Sequence, residues 1–173
     1  SKSVTFTLRE GAKFSDGEPV TAEAARKSIE YFKGKGGGFA ANLKTMTSID
    51  VLGPYRFRVN MSEPQPALVN LFEAYWNGGM LISPKGVDNP DNLAKETFGA
   101  GPYKLVSWTK NSELVLERFA GYWRGPVAIE KIVFRPISDE TVRLTNLRSN
   151  TVQLVDAVPA QAVGALGREA NIT

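Results

Sequence analysis

Residues 101–123 read GPYKLVSWTKNSELVLERFAGYW, and this stretch is the most informative part of the sequence. Gly101-Pro102 favours a turn, because proline fixes φ and glycine tolerates unusual dihedral angles. Residues 103–109 and 113–119 each carry the β-branched, aliphatic and aromatic side chains that are typical of strands. Asn111-Ser112 lies between them at the position of a tight reversal. We therefore predict a hairpin whose second strand leads to an aromatic pair.

The rest of the chain alternates short strands with helices. Residues 4–8 alternate apolar and polar side chains, which predicts a half-buried strand. Asp16-Gly17 predicts a turn, and Thr21 predicts the N-terminal cap of a helix that ends near Gly34. Further strands are predicted at 46–52, 55–61, 80–83, 129–136 and 151–155, and further helices at 67–75, 92–98, 139–148 and 159–167. This order predicts an α+β fold with mixed sheets and flanking helices.

Composition excludes several classes of function. The 173 residues include no Cys and no His, which excludes a Cys nucleophile, a His-based triad and a Cys/His zinc site within this chain. The 21 basic and 18 acidic residues are interspersed along the chain, so the net charge of +3 gives little reason to expect nucleic acid. No apolar run has the length of a membrane span, and no apolar signal region opens the chain. We predict no metal and no cofactor.

Three blocks of sequence resemble the family 5 extracytoplasmic solute-binding proteins of ABC importers. Residues 6–22, FTLREGAKFSDGEPVTA, are similar to the family's FxLRxGxKFxDGxPxTA block, and residues 101–123 to its GTGPY…LERNPxYW signature. Residues 147–154, LRSNTVQL, resemble its LRSGEVDL segment. Asn150 replaces the usual Gly there and keeps a left-handed turn available, whereas Gln153 replaces the usual Asp and removes a carboxylate.

The resemblance implies a particular place in a larger fold. Members of the family have two lobes with a ligand cleft between them (class II, cluster C, of the periplasmic-binding-protein-like folds). By this resemblance, residues 1–98 form the smaller subdomain of lobe I. Residues 99–173 form an incomplete hinge-side subdomain, and the second lobe is absent. We expect such a piece to bind ligand weakly by itself, because it offers one wall of a two-walled site.

The resemblance also implies a transport function. The chain is expected to bind oligopeptides or a related small solute in the periplasm or elsewhere outside the cytoplasmic membrane. An ABC permease in the membrane is the expected partner, and lipid anchoring is left open. Peptides, nickel chelates, opines and oligosaccharides all remain candidate ligands. A ligand-sensing domain of a regulator is the alternative function. An enzyme is not expected, because no spacing of acidic residues points to a catalytic pair.

The first candidate ligand-binding residues are Tyr75, Trp76, Asn77 and Gly78. Two amphipathic rings, an amide and a glycine are the groups that line ligand clefts, where apolar walls combine with a few polar groups. The alternative is that Tyr75 and Trp76 close a helix onto the core. Packing is the favoured interpretation for Trp108, Tyr122 and Trp123, which belong to the family's structural signature.

Three further residues complete the candidate site. By the resemblance, Asp156 lies at a strand end beside the hinge, where its carboxylate can accept a hydrogen bond from a ligand amine. The alternative is that Asp156 caps the helix that follows. Phe39 and Asn42 align with a cleft-wall segment, or else anchor a loop. We also expect apolar surface that allows a homo-oligomer to form.

Overall fold

The computed structural model describes residues 1–35, 40–73, 78–169 and 172, in which short strands alternate with helices. The strands are β1 Ser3–Thr7, β2 Met46–Gly53, β3 Arg56–Met61, β4 Tyr103–Thr109, β5 Glu113–Arg118 and β6 Lys131–Phe134. The α-helices are α1 Ala22–Lys35, α2 Pro84–Asp88, α3 Glu140–Arg148 and α4 Ala160–Leu166. Single 3₁₀ turns lie at Ala41–Leu43, Val69–Phe72 and Pro90–Asn92. The predicted α+β class is confirmed.

The chain divides into two compact units. The first comprises Ser1–Trp108 with Leu114–Val133, and the second comprises Thr109–Glu113 with Phe134–Thr173. The division predicted at residue 99 concerns the subdomains of a larger protein, and it stays a prediction.

The first sheet has the strand order β1-β3-β2 and contains the main core. Both neighbours of β3 are antiparallel to it, and Phe57 is opposite Phe6 on β1, with ring centroids 5.3 Å apart. Phe57, Val59 and Met61 are buried, whereas Arg58 is exposed, as the alternation of the sequence predicts. The polar side of β3 therefore faces solvent and its apolar side faces the core.

Helix α1 supplies the other side of this core. Its N-terminus is capped by Thr21, whose hydroxyl accepts a hydrogen bond from the Ala24 N–H at 3.2 Å. Ala25 and Ile29 are buried together with the inward residues of β2 and β3. The apolar stripe at a spacing of four residues is what directs this face inward. The predicted cap is confirmed.

The predicted turn at Asp16-Gly17 forms and also holds a distant segment. Gly17 has φ +91°, and the Asp16 carboxylate accepts from the Glu18 N–H at 3.0 Å. The other carboxylate oxygen accepts from the hydroxyl of Ser83, which is fully buried and caps α2. The Ser15 N–H donates to the Gly99 carbonyl at 2.8 Å. The turn therefore fixes residues 83–99 against the loop that precedes α1.

The second sheet has the strand order β4-β5-β6. The hairpin predicted from residues 101–123 forms, and Asn111 adopts φ +60° at its reversal. Strand β6 is shorter than the predicted 129–136. Further on, Asp139 caps α3 by accepting from the Val142 N–H at 2.8 Å, and Asn150 has φ +58° just after the helix, as predicted.

Four predicted elements differ in the structure. Residues 80–83 form no strand, because the N–H groups of Ile82 and Ser83 donate to Ser28 Oγ and the Phe98 carbonyl. Residues 151–155 form no strand either, because the N–H groups of Thr151 and Val152 fold back onto the Asn146 carbonyl. The helix predicted at 92–98 is replaced by turns. The helix predicted at 67–75 is a 3₁₀ turn over Val69–Phe72, and residue 75 lies outside the described residues.

Candidate ligand-binding site

The segment that contains most of the candidate residues is flanked by two fixed points. Tyr75, Trp76 and Asn77 lie outside the described residues, as does Phe39. On the N-terminal side, Leu68 and Leu71 are buried, and the Phe72 ring lies 4.9 Å from that of Phe6. On the C-terminal side, the next described residue is Gly78, which is buried. The N-terminal flank of the segment therefore belongs to the main core, and the C-terminal flank begins against Leu71 and Phe72 of that core.

Gly78 and Gly79 pack directly on the backbone of the preceding turn. A Cβ atom at Gly78 would overlap the Leu71 carbonyl oxygen, and one at Gly79 would overlap that of Phe72. Because these glycines have no side chain, they can lie close to the backbone of Leu71 and Phe72. A ligand-binding role for Gly78 stays a prediction, and its packing role is visible.

Asn42 follows Ala41, which is one of the residues that line a basic depression. It is exposed in the 3₁₀ turn Ala41–Leu43, whose Leu43 is buried in the same core cluster as Leu71. The depression has a volume of about 240 Å³ and is lined by Lys33, Ala40, Ala41 and Lys44. Asn42 and Gly78 thus both adjoin residues of the main core.

Asp156 belongs to the second unit, and its carboxylate binds no other described residue. Its side chain is exposed, and within the described residues it makes no hydrogen bond or ion pair. The cap position of α4 is Pro159, which provides no side-chain hydrogen bond, so the structure does not show Asp156 as a helix cap. The carboxylate therefore has its full acceptor capacity available for a ligand.

Arg143 holds the loop that contains Asp156, a role that no sequence pattern indicated. One guanidinium nitrogen donates to the carbonyls of Ile137 and Ser138 at 2.7 and 3.0 Å, and another reaches the Ala157 carbonyl at 3.5 Å. Ala157 has φ +47°, which is rare for a residue with a side chain. The arginine thus secures a strained backbone next to the candidate ligand carboxylate.

Another depression contains paired charges. Its volume is about 430 Å³, and it is lined by Lys104, Glu117, Arg118, Phe119, Ala120 and Glu130. Glu117 lies 3.0 Å from Lys104 Nζ, and Glu130 lies 2.7 Å from an Arg118 nitrogen. Each carboxylate is therefore neutralised by its own cation, which differs from the two competing acids of a hydrolytic site.

Residues 1–35, 40–73 and 78–169 were also searched for a metal site and for a membrane-spanning helix. There, no three acidic residues are grouped closely enough to hold a metal ion. No helix in the same part of the chain combines the length and the hydropathy needed to cross a membrane.

The aromatic residues of the hairpin region divide into two groups. Trp123 packs against the cluster formed by Ala12, Phe14, Val20 and Ala24. The Tyr122 ring contacts the Trp123 ring edge-on, with the ring centroids 5.5 Å apart. Packing, as predicted, is confirmed for this pair. Trp108 is 51 % exposed, so it does not show the packing that we expect.

With this geometry established, comparison with known proteins identifies the family. The sequence model described as "Bacterial extracellular solute-binding proteins, family 5 Middle" matches residues 1–173. The chain belongs to this family. Its members are solute-binding proteins of transport systems rather than enzymes.

Relatives in the family are named for small peptides. The chain is 31% identical over 178 residues to the probable D,D-dipeptide-binding periplasmic protein DdpA of Escherichia coli K12, and this covers 99% of the chain and 34% of the relative. It is 26% identical over 172 residues to the glutathione-binding protein GsiB of Salmonella typhi, with 97% and 33% covered. The chain thus spans about one third of the length of these relatives.

Solved structures agree on the fold. AgaA of A. tumefaciens R10, solved with agropinic acid, superposes with a TM-score of 0.86 at 27% identity, covering 98% of this chain and 35% of that one. NikA of Staphylococcus aureus, solved with Ni(L-His)2, gives 0.86 at 21% identity with 98% and 35% covered. The structural neighbours are two-lobed periplasmic binding proteins, which confirms the predicted fold class.

Proposed function

We propose that this chain is the middle part of the solute-binding subunit of an ABC importer that takes up short peptides. The subunit captures its solute outside the cytoplasmic membrane and delivers it to a membrane permease. The family match over residues 1–173 is the observation that carries the transport function. The peptide ligand is supported by the two relatives, whose names specify a D,D-dipeptide and glutathione.

Capture in this proposal is non-covalent. Tyr75, Trp76 and Phe39 supply aromatic walls, and Asn77 and Asn42 supply amide groups that orient the peptide backbone. Closure of two lobes around the solute then signals occupancy to the permease. Residues 1–98 and 99–173 are proposed to be the two subdomains of the first lobe.

Asp156 is proposed to bind the amino terminus of the peptide. The support is its exposed carboxylate, which makes no hydrogen bond or ion pair with any other described residue. An ammonium group pairs well with such a carboxylate once the cleft excludes water. Arg143 keeps the backbone of this loop in place.

The location outside the cytoplasmic membrane is proposed for the same reasons. The family is described as extracellular, and DdpA is described as a periplasmic protein. Lipid anchoring is left open.

Calorimetric titration of the protein from the complete reading frame tests the proposal. We expect saturable binding of one di- to pentapeptide per protein, with agropinic acid and Ni(L-His)2 as comparison ligands. Binding of only a comparison ligand would contradict the peptide ligand and leave the solute-binding function standing. A DNA-binding segment in the same reading frame would instead favour a ligand-sensing regulator.

A matched pair of variants tests the role of Asp156. Asp156→Asn should weaken the binding of free-amine peptides about tenfold, because it removes a charge-assisted hydrogen bond. An N-acetylated peptide should bind both proteins equally. Asp91→Asn is the control, because Asp91 is also exposed and changes the net charge identically. Equal losses for the two variants would argue against a specific contact.

A further inference from the structure

Two arginines from distant parts of the sequence meet on one tryptophan. The Arg9 Cζ atom lies 4.8 Å from the ring centroid of Trp123, and the Arg124 Cζ atom lies 4.6 Å from it. Trp123 itself packs on the small core cluster that includes Phe14, which is fully buried. The ring is therefore a fixed platform, and each guanidinium is attracted to its π-electrons.

Within the described residues, neither of the two positive charges has an ion-pair partner. Both Cζ atoms are within 5 Å of the same centroid, so the charges are closer together than the screening length of about 10 Å at 0.1 M salt. Both side chains are exposed, and within the described residues neither makes a hydrogen bond or an ion pair. Arg118, by contrast, has an acidic partner in Glu130. Like charges that converge without an anion repel each other, and a bound anion removes that repulsion.

We propose that Arg9 and Arg124, held on Trp123, form a docking site for the carboxylates of an acidic segment of a partner protein. A guanidinium that stacks on a ring keeps its in-plane N–H donors for a carboxylate, which it binds through two parallel hydrogen bonds.

The surroundings of the two arginines favour a protein segment over a small anion. Neither arginine lines either of the depressions described above, and both side chains are exposed, so a large partner can reach them. A segment with two or more acidic side chains gains from both guanidinium groups at once. The site is independent of the proposed transport function, because it uses none of the candidate ligand-binding residues.

Fluorescence anisotropy with a labelled, end-blocked hexaglutamate peptide tests the site on the 173-residue chain. In 25 mM salt we expect the double variant R9Q/R124Q to bind about tenfold more weakly than the parent chain, the size of effect that two exposed ion pairs with good geometry produce. R56Q/R58Q is the matched control, because Arg56 and Arg58 on β3 are also exposed and their substitution removes the same amount of charge. We expect less than a twofold change for this control.

A second comparison separates a specific site from general attraction. R9K/R124K keeps both charges but loses the planar guanidinium groups, which bind a carboxylate through two parallel hydrogen bonds. This variant should also weaken peptide binding severalfold. Full retention of affinity by the lysine variant, equal losses for the two glutamine variants, or no binding by the parent chain would each contradict the proposal. So would binding to vesicles with anionic phosphatidylglycerol through these arginines without binding of the peptide. A structure of the complete protein in which carboxylates of the same protein bind both arginines would also contradict the proposal.

Discussion

The two sheets of this molecule each have three strands, yet they bury very different fractions of their apolar side chains. In the first sheet Phe57 is 3 % exposed and Val59 is fully buried, because helix α1 covers the inner face. In the second sheet Val115 is buried, whereas Phe134 and Trp108 are 56 % and 51 % exposed. Strands therefore form in both places, but within the described residues only the first sheet is shown with a helix packed on its inner face.

The sequences of the strands show why the sheets differ. Strand β3 alternates apolar and charged residues, which suits a sheet with one buried face. Strand β5 carries Leu114, Val115 and Leu116 in succession, a pattern typical of strands buried on both faces. The second sheet thus has more apolar surface than the described residues cover, and this surface is where we propose self-association.

The largest expected effect comes from removing a large side chain from the core of the first sheet. Phe57→Ala should lower the free energy of unfolding by about 3–5 kcal/mol, because it removes a buried ring that stacks on Phe6. The matched change in the second sheet, Phe134→Ala, should cost less than about 1 kcal/mol. Urea unfolding followed by circular dichroism measures both. Similar losses for the two variants would remove the contrast between the sheets.

The next effect concerns the polar contact that holds residues 83–99. Ser83→Ala should lower the free energy of unfolding by about 1–3 kcal/mol, because the Asp16 carboxylate loses a buried donor. Ser107→Ala on β4 is the control, since Ser107 is exposed, and it should change stability by no more than about 0.5 kcal/mol. If urea denaturation cannot distinguish the two serines, the contact is not stabilising.

A pair of aspartates in the second unit gives a smaller effect. Asp139→Ala should cost about 1 kcal/mol, because it removes the cap of α3. Asp156→Ala should leave stability within about 0.5 kcal/mol of the parent, because Asp156 caps no helix. Thermal unfolding is the measurement. A clear loss of stability in the Asp156 variant would indicate that its role is structural rather than ligand binding.

The smallest effect on stability is expected at the exposed aromatic residues of strands β4 and β6. Replacing both Trp108 and Phe134 by Ser should change the unfolding free energy by no more than about 0.5 kcal/mol. The same variant should lose the self-association and hydrophobic-dye binding that we expect of the parent chain. Sedimentation velocity and dye fluorescence test this. A parent chain that is monomeric and binds no dye would show that the exposed side chains form no interaction surface.

Much of the fold could be predicted because its signals are local. The hairpin of residues 103–118, the cap at Thr21 and the left-handed Asn150 each depend on neighbours within a few positions. Two of the elements that were wrong depend on distant partners. Residues 80–83 satisfy their N–H groups with Ser28 and Phe98, and residues 92–98 are held by Ser15 and Leu105. No local pattern shows such partners.

The candidate site divides in the same way. Family motifs indicated where ligand contacts should lie, and the structure adds that Asp156 is exposed and does not cap the following helix. Ser83 before Pro84 could have been identified as a helix cap from sequence, because that dipeptide is a common helix start. The tether from Arg143 to the Asp156 loop could not, since it joins one side chain to three backbone carbonyls.

The sequence by itself determined the family, the α+β class and the positions of most strands and helices. These follow from the period of apolar residues and from turn chemistry, which act over a few residues. Tertiary structure alone decided that Asp16 binds Ser83, that Arg143 secures Ala157 and that Arg9 and Arg124 share Trp123. The reason is physical: a side chain finds these partners only after packing has brought distant segments together.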